Sequence, residues 1–310
     1  MNVSYTGPLQ QSWSRMMRML FQPFRLEFWL TVGFAAFLAN LTHGGGGGGG
    51  GKGFSFKGRP HVPFPEVARH VADFLLSPVW GPVVIAIAVC GIIFGLVLLW
   101  ICSRGKFIFL DNVMRERAAI VEPWKRFARH GNALFVFWFA MVAVYGALFL
   151  MISLPLLPAF LMAIKGGGAW TALGVFAVSW WIAAMVPLAV MVWLTHVFLF
   201  DAVVPIMYRH DLGILAAWGR FFSLFRTNVL NFIAFGFVYL LLQILVATII
   251  LIVGFSTCCI GFLLVSFPYV GSVVMLPIEV TLRGFGPDFL EQFGPEWTIA
   301  PKPAPPAPAA

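Results

Sequence analysis

Residues 83–102 read VVIAIAVCGIIFGLVLLWIC and contain no charged side chain. About 20 consecutive apolar residues are enough for a helix to cross the hydrocarbon core of a bilayer, so this stretch predicts a membrane-spanning helix. The rest of the 310-residue chain is similar, because 60% of its residues are hydrophobic and only 10% are charged. A soluble domain has about 25% charged residues, and this composition therefore excludes a water-soluble globular enzyme.

Further apolar segments predict an all-α polytopic membrane protein with six spans. The other five are residues 26–41, 133–157, 171–199, 229–253 and 260–280. Proline lacks the backbone donor that a helix interior needs, so Pro187 predicts a kink in the fourth span, and Pro268 and Pro277 predict breaks in the sixth. The first span is short, and a signal-peptide core at 28–41 is the alternative. The 27 residues before it are long for the n-region of a signal peptide, which favours a retained span.

The predicted domain organisation has three parts. Residues 1–25 form an amphipathic helix lying in the membrane interface, since aromatic and aliphatic residues recur there at three- and four-residue steps beside arginines. Residues 26–283 form the six-span domain. Its outer loop at 44–65 begins with eight consecutive glycines, a flexible linker without the ending of a phosphate-binding loop. Residues 284–310 form a cytoplasmic tail with a Pro/Ala-rich end.

The distribution of basic residues predicts the orientation. Of the 20 Lys and Arg residues, 15 fall in the N-terminal segment, in 104–129, in 209–226 and in the C-terminal segment, all on one side of the predicted membrane. The remaining 5 fall on the other side. Basic residues concentrate on the cytoplasmic side, so both termini are expected in the cytoplasm.

Two parts of the chain look like copies of one unit. One contains Asp111 and then WKRF at 124–127, and the other contains Asp201 and then WGRF at 218–221. An asparagine follows each motif and opens the next span. The order predicts a parallel internal repeat with an axis near the membrane normal. The predicted repeat units are 83–157 and 171–253.

The two W-R-F motifs are the candidate binding residues. Aromatic rings suit headgroup depth, and a guanidinium bonds phosphate or carboxylate with a planar fork. The functional interpretation is a surface for anionic phospholipid headgroups or for a partner subunit, and the alternative is simple interfacial anchoring. The six residues are Trp124, Arg126, Phe127, Trp218, Arg220 and Phe221.

Four charged residues near the predicted cytoplasmic ends of the spans are interpreted as structural. Asp111 and Asp201 are expected to cap helices or to pair with neighbouring arginines. Glu279 is expected to pair with Arg283, one helical turn later. No catalytic residue is assigned.

Several site classes have no signal in the sequence. There is no Ser/His/Asp nucleophile group, HExxH motif or P-loop. The six histidines lack helical i,i+3 or i,i+4 spacing and the four cysteines lack CxxC spacing, so no metal or cofactor is predicted. The net charge of +8 is attributed to the membrane surface rather than to nucleic acid. No role is predicted for the octaglycine or for His61 and His70.

Four segments resemble an uncharacterised family of bacterial six-span membrane proteins. They are FRLEFWLTVGFAAFLANL at 24–41, FIFLDNVMRERAAIVEPWKRF at 107–127, FDAVVPIMYRHDLGILAAWGRF at 200–221 and FLEQFGPEW at 289–297. That family is distantly similar to the membrane domain fused to some glycerophosphodiester phosphodiesterases. The resemblance implies a location in the bacterial inner membrane and no established activity. The catalytic domain of those phosphodiesterases is absent here, so their chemistry is not expected of this chain.

The sequence predicts a non-enzymatic function in membrane or envelope organisation, or as an accessory subunit of a membrane complex. Two alternatives remain open: a carrier for an apolar or lipid-like substrate, which needs no midplane charges, and an enzyme acting at lipid headgroups. A lipid-wide cavity would favour the carrier. A large apolar patch facing one direction would favour the subunit.

Overall fold

The computed structural model describes residues 3–41, 77–78, 80–158, 172–257 and 260–299. These residues form helices without any strand, which confirms the all-α prediction for this part of the chain. The octaglycine, His61, His70 and the Pro/Ala-rich end lie outside the described residues. In chain order the helices are α1 (Thr6–Phe21), α2 (Leu26–Asn40), α3 (Trp80–Met114), α4 (Val121–Arg126), α5 (Ala128–Ser153), α6 (Ala172–Phe198), a π-helical segment (Leu199–Val203), α7 (Val204–His210), α8 (Ile214–Thr227), α9 (Val229–Ser256), α10 (Ile260–Ser266), α11 (Pro268–Val274) and α12 (Leu276–Leu290), followed by the 3₁₀ turns Glu291–Phe293 and Pro295–Trp297.

Four of the described helices are long and apolar enough to cross a membrane. They are Trp80–Met114, Ala128–Ser153, Gly174–His210 and Val229–Ser256, with 35, 26, 37 and 28 residues. At 1.5 Å per residue even the shortest extends about 39 Å, more than the ~30 Å of a hydrocarbon core. Their most apolar stretches are almost entirely exposed, with at most 6% of any stretch buried inside the protein. Such exposed apolar surface is suited to lipid.

Two of the six predicted spans are not single long helices. α2 has 15 residues and would extend only about 22 Å. The predicted sixth span, 260–280, is divided among α10, α11 and the start of α12. Pro268 and Pro277 each lie in the first turn of a new helix, where the missing N–H has no intrahelical partner to lose.

The end of α2 lies on an unexpected side of α3. The Cys102 thiol lies 3.0 Å from the Ala39 carbonyl, and Gly105 packs directly against the backbone of Leu38 and Ala39. α2 therefore ends beside the last residues of the apolar run 83–102. The topology predicted from the sequence has the end of the first span and the end of the second on opposite sides of the membrane.

The described residues divide into two compact units, with residues 3–41, 98–137, 194–257 and 260–299 in one and residues 77–78, 80–97, 138–158 and 172–193 in the other. The first unit contains most of the buried side chains, and phenylalanines of α9 and α12 stack at its centre. The Phe235 and Phe289 ring centroids, for example, are 4.5 Å apart. In the second unit the Trp181 indole donates to Ser153 Oγ at 3.1 Å and links α6 to α5.

The N-terminal helix α1 is attached to α12 by a buried ion pair. Arg15 donates to both oxygens of Asp288, at 2.7 and 3.0 Å, and Ser12 Oγ donates to the same carboxylate at 2.6 Å. Gly284 allows this approach, since a Cβ there would lie 2.9 Å from the Arg15 guanidinium. α12 continues without a break through residue 284, the predicted start of the tail.

Candidate functional site

A cavity of about 360 Å³ lies inside the first unit and is the candidate functional site. Ligand sites typically have about 300–1,000 Å³, so this one is at the small end of that range. Residues of α2, α3, α6, the π-helical segment, α9 and α12 line it, together with Met275 just before α12. The walls include four charged side chains: Lys106, Asp201, Glu279 and Arg283.

The charged residues reach the cavity because each lies just beyond, or at the end of, an apolar stretch. Lys106 follows the apolar run of α3, and Asp201 follows the apolar residues of α6. Both are buried, with 8% and 4% of their surface exposed. Two formal positive charges thus face two formal negative charges. Among the described residues none of the four forms an ion pair within 4.0 Å, which distinguishes this cluster from the paired charges elsewhere in the unit.

Arg283 is held by backbone carbonyls. Its two terminal nitrogens donate to Phe200 O at 2.9 Å and to Lys106 O at 3.1 Å, so it links α12 to the π-helical segment and to α3. Burial lowers the pKa of Arg283, and the nearby Asp201 carboxylate opposes that shift. Among the described residues no ion pair within 4.0 Å joins Glu279 to Arg283, the pair expected from the sequence. Arg283 faces the carbonyls of two other helices instead.

Asp201 lies in the π-helical segment because of its neighbours. Pro205 has no N–H to donate to the Asp201 carbonyl, so the α-helical hydrogen bond four residues back is not available. The Val204 N–H, one residue earlier, donates to Leu199 O five residues back, which is the π-helical spacing. Gly286 of α12 packs against the backbone of Asp201, where a Cβ would collide. Single π turns inside α-helices are frequent at functional sites.

Three groups in the cavity have no ordinary partner in the described part of the chain, and one of them is the buried Nε of Arg283. The Lys106 ammonium lies 3.8 Å from the centroid of the Phe200 ring, a cation–π contact. Glu279 Oε2 is inaccessible to solvent and has no hydrogen-bond partner among the described residues, although Asn40 interacts with this carboxyl group. Buried polar groups are nearly always hydrogen-bonded, so an unsatisfied oxygen beside a cavity indicates a place for a ligand group.

One face of α9 makes one end of the cavity polar and the other end apolar. Tyr239, Gln243, Val246 and Ile250 line it at i, i+4, i+7 and i+11, which corresponds to about 16 Å along the helix. The Tyr239 hydroxyl interacts with both Asp201 and Gln243. The wall therefore changes from polar at the Asp201 end to apolar at the Ile250 end.

The six residues of the W-R-F motifs lie outside the cavity lining. Their exposure follows one pattern in both motifs: the tryptophan is half-buried, the arginine is exposed and the phenylalanine is buried. Phe127 stacks on Phe107 with 6.0 Å between centroids, and Phe221 contacts Phe232 at 5.3 Å. Each phenylalanine thus fixes its helix to the core, while Arg126 and Arg220 face outward.

Asp111 and Asp201 occupy matching positions in the two motifs but differ in their surroundings. Asp111 is fully buried and bonded by Arg115 at 3.2 Å, by Arg117 at 2.7 Å and by the Tyr208 hydroxyl at 2.9 Å. Arg117 also donates to Glu122 and thereby lowers the pKa of that carboxyl group. Asp111 is therefore satisfied by protein groups, whereas Asp201 faces the cavity.

Several cavity residues were not predicted from the sequence. Lys106 was used only as one of the basic residues that set the orientation, and Tyr239 and Asn40 were not singled out. A signal was present in α9, where Tyr239 and Gln243 are polar residues four apart in an otherwise apolar helix. No group of three His, Cys, Asp or Glu side chains able to hold a metal occurs in the part of the chain that the structure describes.

The fold and the cavity define a class: a helical protein with four helices suited to crossing a membrane and a charged cavity in its helical core. Within that class, residues 6–287 match the family of unknown function DUF7544, and the chain belongs to that family. No curated protein and no solved structure matches it. The uncharacterised family was anticipated from the sequence, while the similarity to a phosphodiesterase-associated domain and the bacterial origin stay predictions.

Proposed function

We propose that this protein is a non-enzymatic membrane protein that binds a lipid-like amphiphile in the charged cavity, as a carrier or a lipid-binding component of the membrane. The observation that supports this most is the polarity of the cavity wall along α9. An amphiphile has a polar group at one end and an apolar chain at the other, and the cavity offers surfaces of both kinds in that order. A soluble polar substrate would leave Val246 and Ile250 without an apolar partner.

The position of the cavity supports the same function. Lys106 and Asp201 follow directly after apolar stretches that are long enough to cross the hydrocarbon core. The charged end of the cavity would therefore lie at headgroup depth, and the apolar end would lie among acyl chains. The bias of basic residues toward 104–129 and 209–226 favours the cytoplasmic leaflet of a bacterial inner membrane, with both termini in the cytoplasm.

Filling the apolar end of the cavity tests this proposal. Val246→Phe and Ile250→Phe place a bulky ring in the cavity, whereas Leu245→Phe and Ile252→Phe place it on the outer surface of the same helix. After purification in a mild detergent, bound lipid is counted by native mass spectrometry. The two cavity variants should retain less bound lipid than the wild type and the two surface variants. Equal retention in all five proteins would refute the proposal.

A second candidate function has its own supporting observation. Arg126 and Arg220 are exposed and form no ion pair among the described residues, while the phenylalanine beside each is buried in the core. We infer that the two W-R-F helices hold anionic phospholipid headgroups or a partner subunit, as a protein of membrane or envelope organisation would.

Replacing both Arg126 and Arg220 by glutamine removes roughly 1 kcal/mol of surface attraction each. Flotation with vesicles containing anionic lipid should then weaken. If the double variant binds the vesicles as well as the wild type at every salt concentration, these helices serve only to anchor the protein at the membrane interface.

A further inference from the structure

The chemistry of the cavity restricts the head group that it can accept. Arg283 already donates to the carbonyls of Phe200 and Lys106, and Asp201 interacts with Tyr239. Three groups are left for a ligand among the described residues: the ammonium of Lys106, the Nε of Arg283 and Oε2 of Glu279. A ligand that satisfies all three must present an anionic group, which can accept from Lys106 and from Arg283 Nε, and a hydrogen-bond donor for Glu279 Oε2.

The net charge of the site restricts the ligand further. The formal charges of Lys106, Arg283, Asp201 and Glu279 cancel, and the remaining polar side chains of the lining are His196, Asn40, Tyr239 and Gln243. An uncompensated charge is costly in a low-dielectric interior, so a ligand with a net negative charge would disturb the balance. A zwitterion leaves the sum of charges at zero.

We propose that the cavity selects a zwitterionic phospholipid head group with a primary ammonium, and this proposal rests on the proposed function of the cavity as a lipid site. The phosphate binds the Lys106 ammonium, which has three donors and no acceptor. The ammonium of the lipid donates to Glu279 Oε2. A quaternary ammonium has the same charge but no N–H, so it leaves that oxygen unsatisfied.

The test compares three lipids with identical short acyl chains: phosphatidylethanolamine, phosphatidylcholine and phosphatidylglycerol. Each is titrated into the purified, delipidated full-length protein, and bound lipid is measured by native mass spectrometry. The ethanolamine lipid should bind about tenfold more tightly than the choline lipid, the effect expected of one hydrogen bond to a charged group. It should also bind more tightly than the glycerol lipid, which has donors but a net negative charge.

Two variants assign the head-group contacts. Lys106→Met should lower the affinity for the ethanolamine and choline lipids alike by about tenfold, because both have the phosphate. Glu279→Gln keeps the shape of the side chain and should reduce the preference for ethanolamine over choline to less than about threefold. The matched control is Arg18→Gln, which changes an exposed arginine of α1 outside the cavity and outside both W-R-F motifs, and it should leave the preference unchanged.

The outcomes separate this proposal from the one on which it rests. Equal binding of the ethanolamine and choline lipids by the wild type, or a preference that survives Glu279→Gln, would overturn the head-group assignment while lipid binding itself stands. If Val246→Phe binds every lipid as tightly as the wild type, the proposed function fails. Free phosphoethanolamine is the last probe. Displacement of the lipid at equal concentration would show that the head group alone is the ligand and would overturn the lipid as its source.

Discussion

Replacing Arg15 by methionine should destabilise the protein strongly, because it leaves a carboxylate buried without its partner. Only 4% of the Arg15 side chain and 2% of the Asp288 side chain are exposed. The pair is bidentate, with N–O distances of 2.7 and 3.0 Å. Removing one partner of such a buried pair costs about 3–5 kcal/mol of unfolding free energy. Ser12 still donates to the carboxylate and moderates the loss toward the lower end of that range.

The same helix provides a matched control. Arg18, three residues further along, pairs with Glu116 at 3.1 Å, but 56% and 38% of these two side chains are exposed. An exposed pair contributes about 0–1 kcal/mol, so Arg18→Gln should change stability little. The measurement is the free energy of unfolding in detergent by denaturant titration, with helix content followed by circular dichroism.

A double variant tests the reasoning further. Arg15→Met combined with Asp288→Leu removes both charges and fills the space with apolar side chains, and such replacements of buried pairs are often neutral or stabilising. The double variant should therefore be more stable than Arg15→Met alone. If Arg15→Met is no more harmful than Arg18→Gln, or if the double variant is the least stable of the three, the pair does not hold α1 on α12.

Three further predictions concern the pH dependence of the Arg15→Met variant, a second buried carboxylate and the membrane topology. Burial raises the pKa of Asp288 and Arg15 opposes that shift, so in Arg15→Met the folded state holds the Asp288 proton more tightly than the unfolded chain does. The unfolding free energy of this variant should therefore fall as pH rises through the pKa of Asp288 in the folded state. Unfolding titrations at several pH values should show that the loss of stability relative to the wild type becomes smaller in acid. Asp111→Asn should lower the unfolding free energy by about 2–4 kcal/mol, because Asp111 has three charged or hydroxyl partners. Asp201→Asn should lower it less. Equal losses would show that the surroundings of Asp111 and Asp201 do not differ as described. A topology reporter fused directly after α2 should report the same side of the membrane as one placed between α3 and α4, because the end of α2 lies beside Cys102. Reporters on opposite sides would support the topology predicted from the sequence.

The sequence by itself determined the helical class and the long apolar helices. In lipid an isolated apolar run such as 83–102 can satisfy its backbone hydrogen bonds only as an α-helix, so its composition is sufficient to predict a helix. Proline positions likewise indicated where the segment 260–280 would be interrupted, since the missing N–H acts locally. These properties depend on neighbours within a few residues, and a single sequence reports such neighbours directly.

Only the tertiary structure decided which charges are paired and which face a cavity. Asp111 and Asp201 share the same motif position, yet arginines satisfy one and the other lines the site. Arg283 bonds a carbonyl 177 residues away, and Arg15 and Asp288 are 273 residues apart. The identity of a charged residue does not reveal its partner, because the electrostatic environment of a buried group is set by whichever helices pack around it. The cavity exists only where those helices meet.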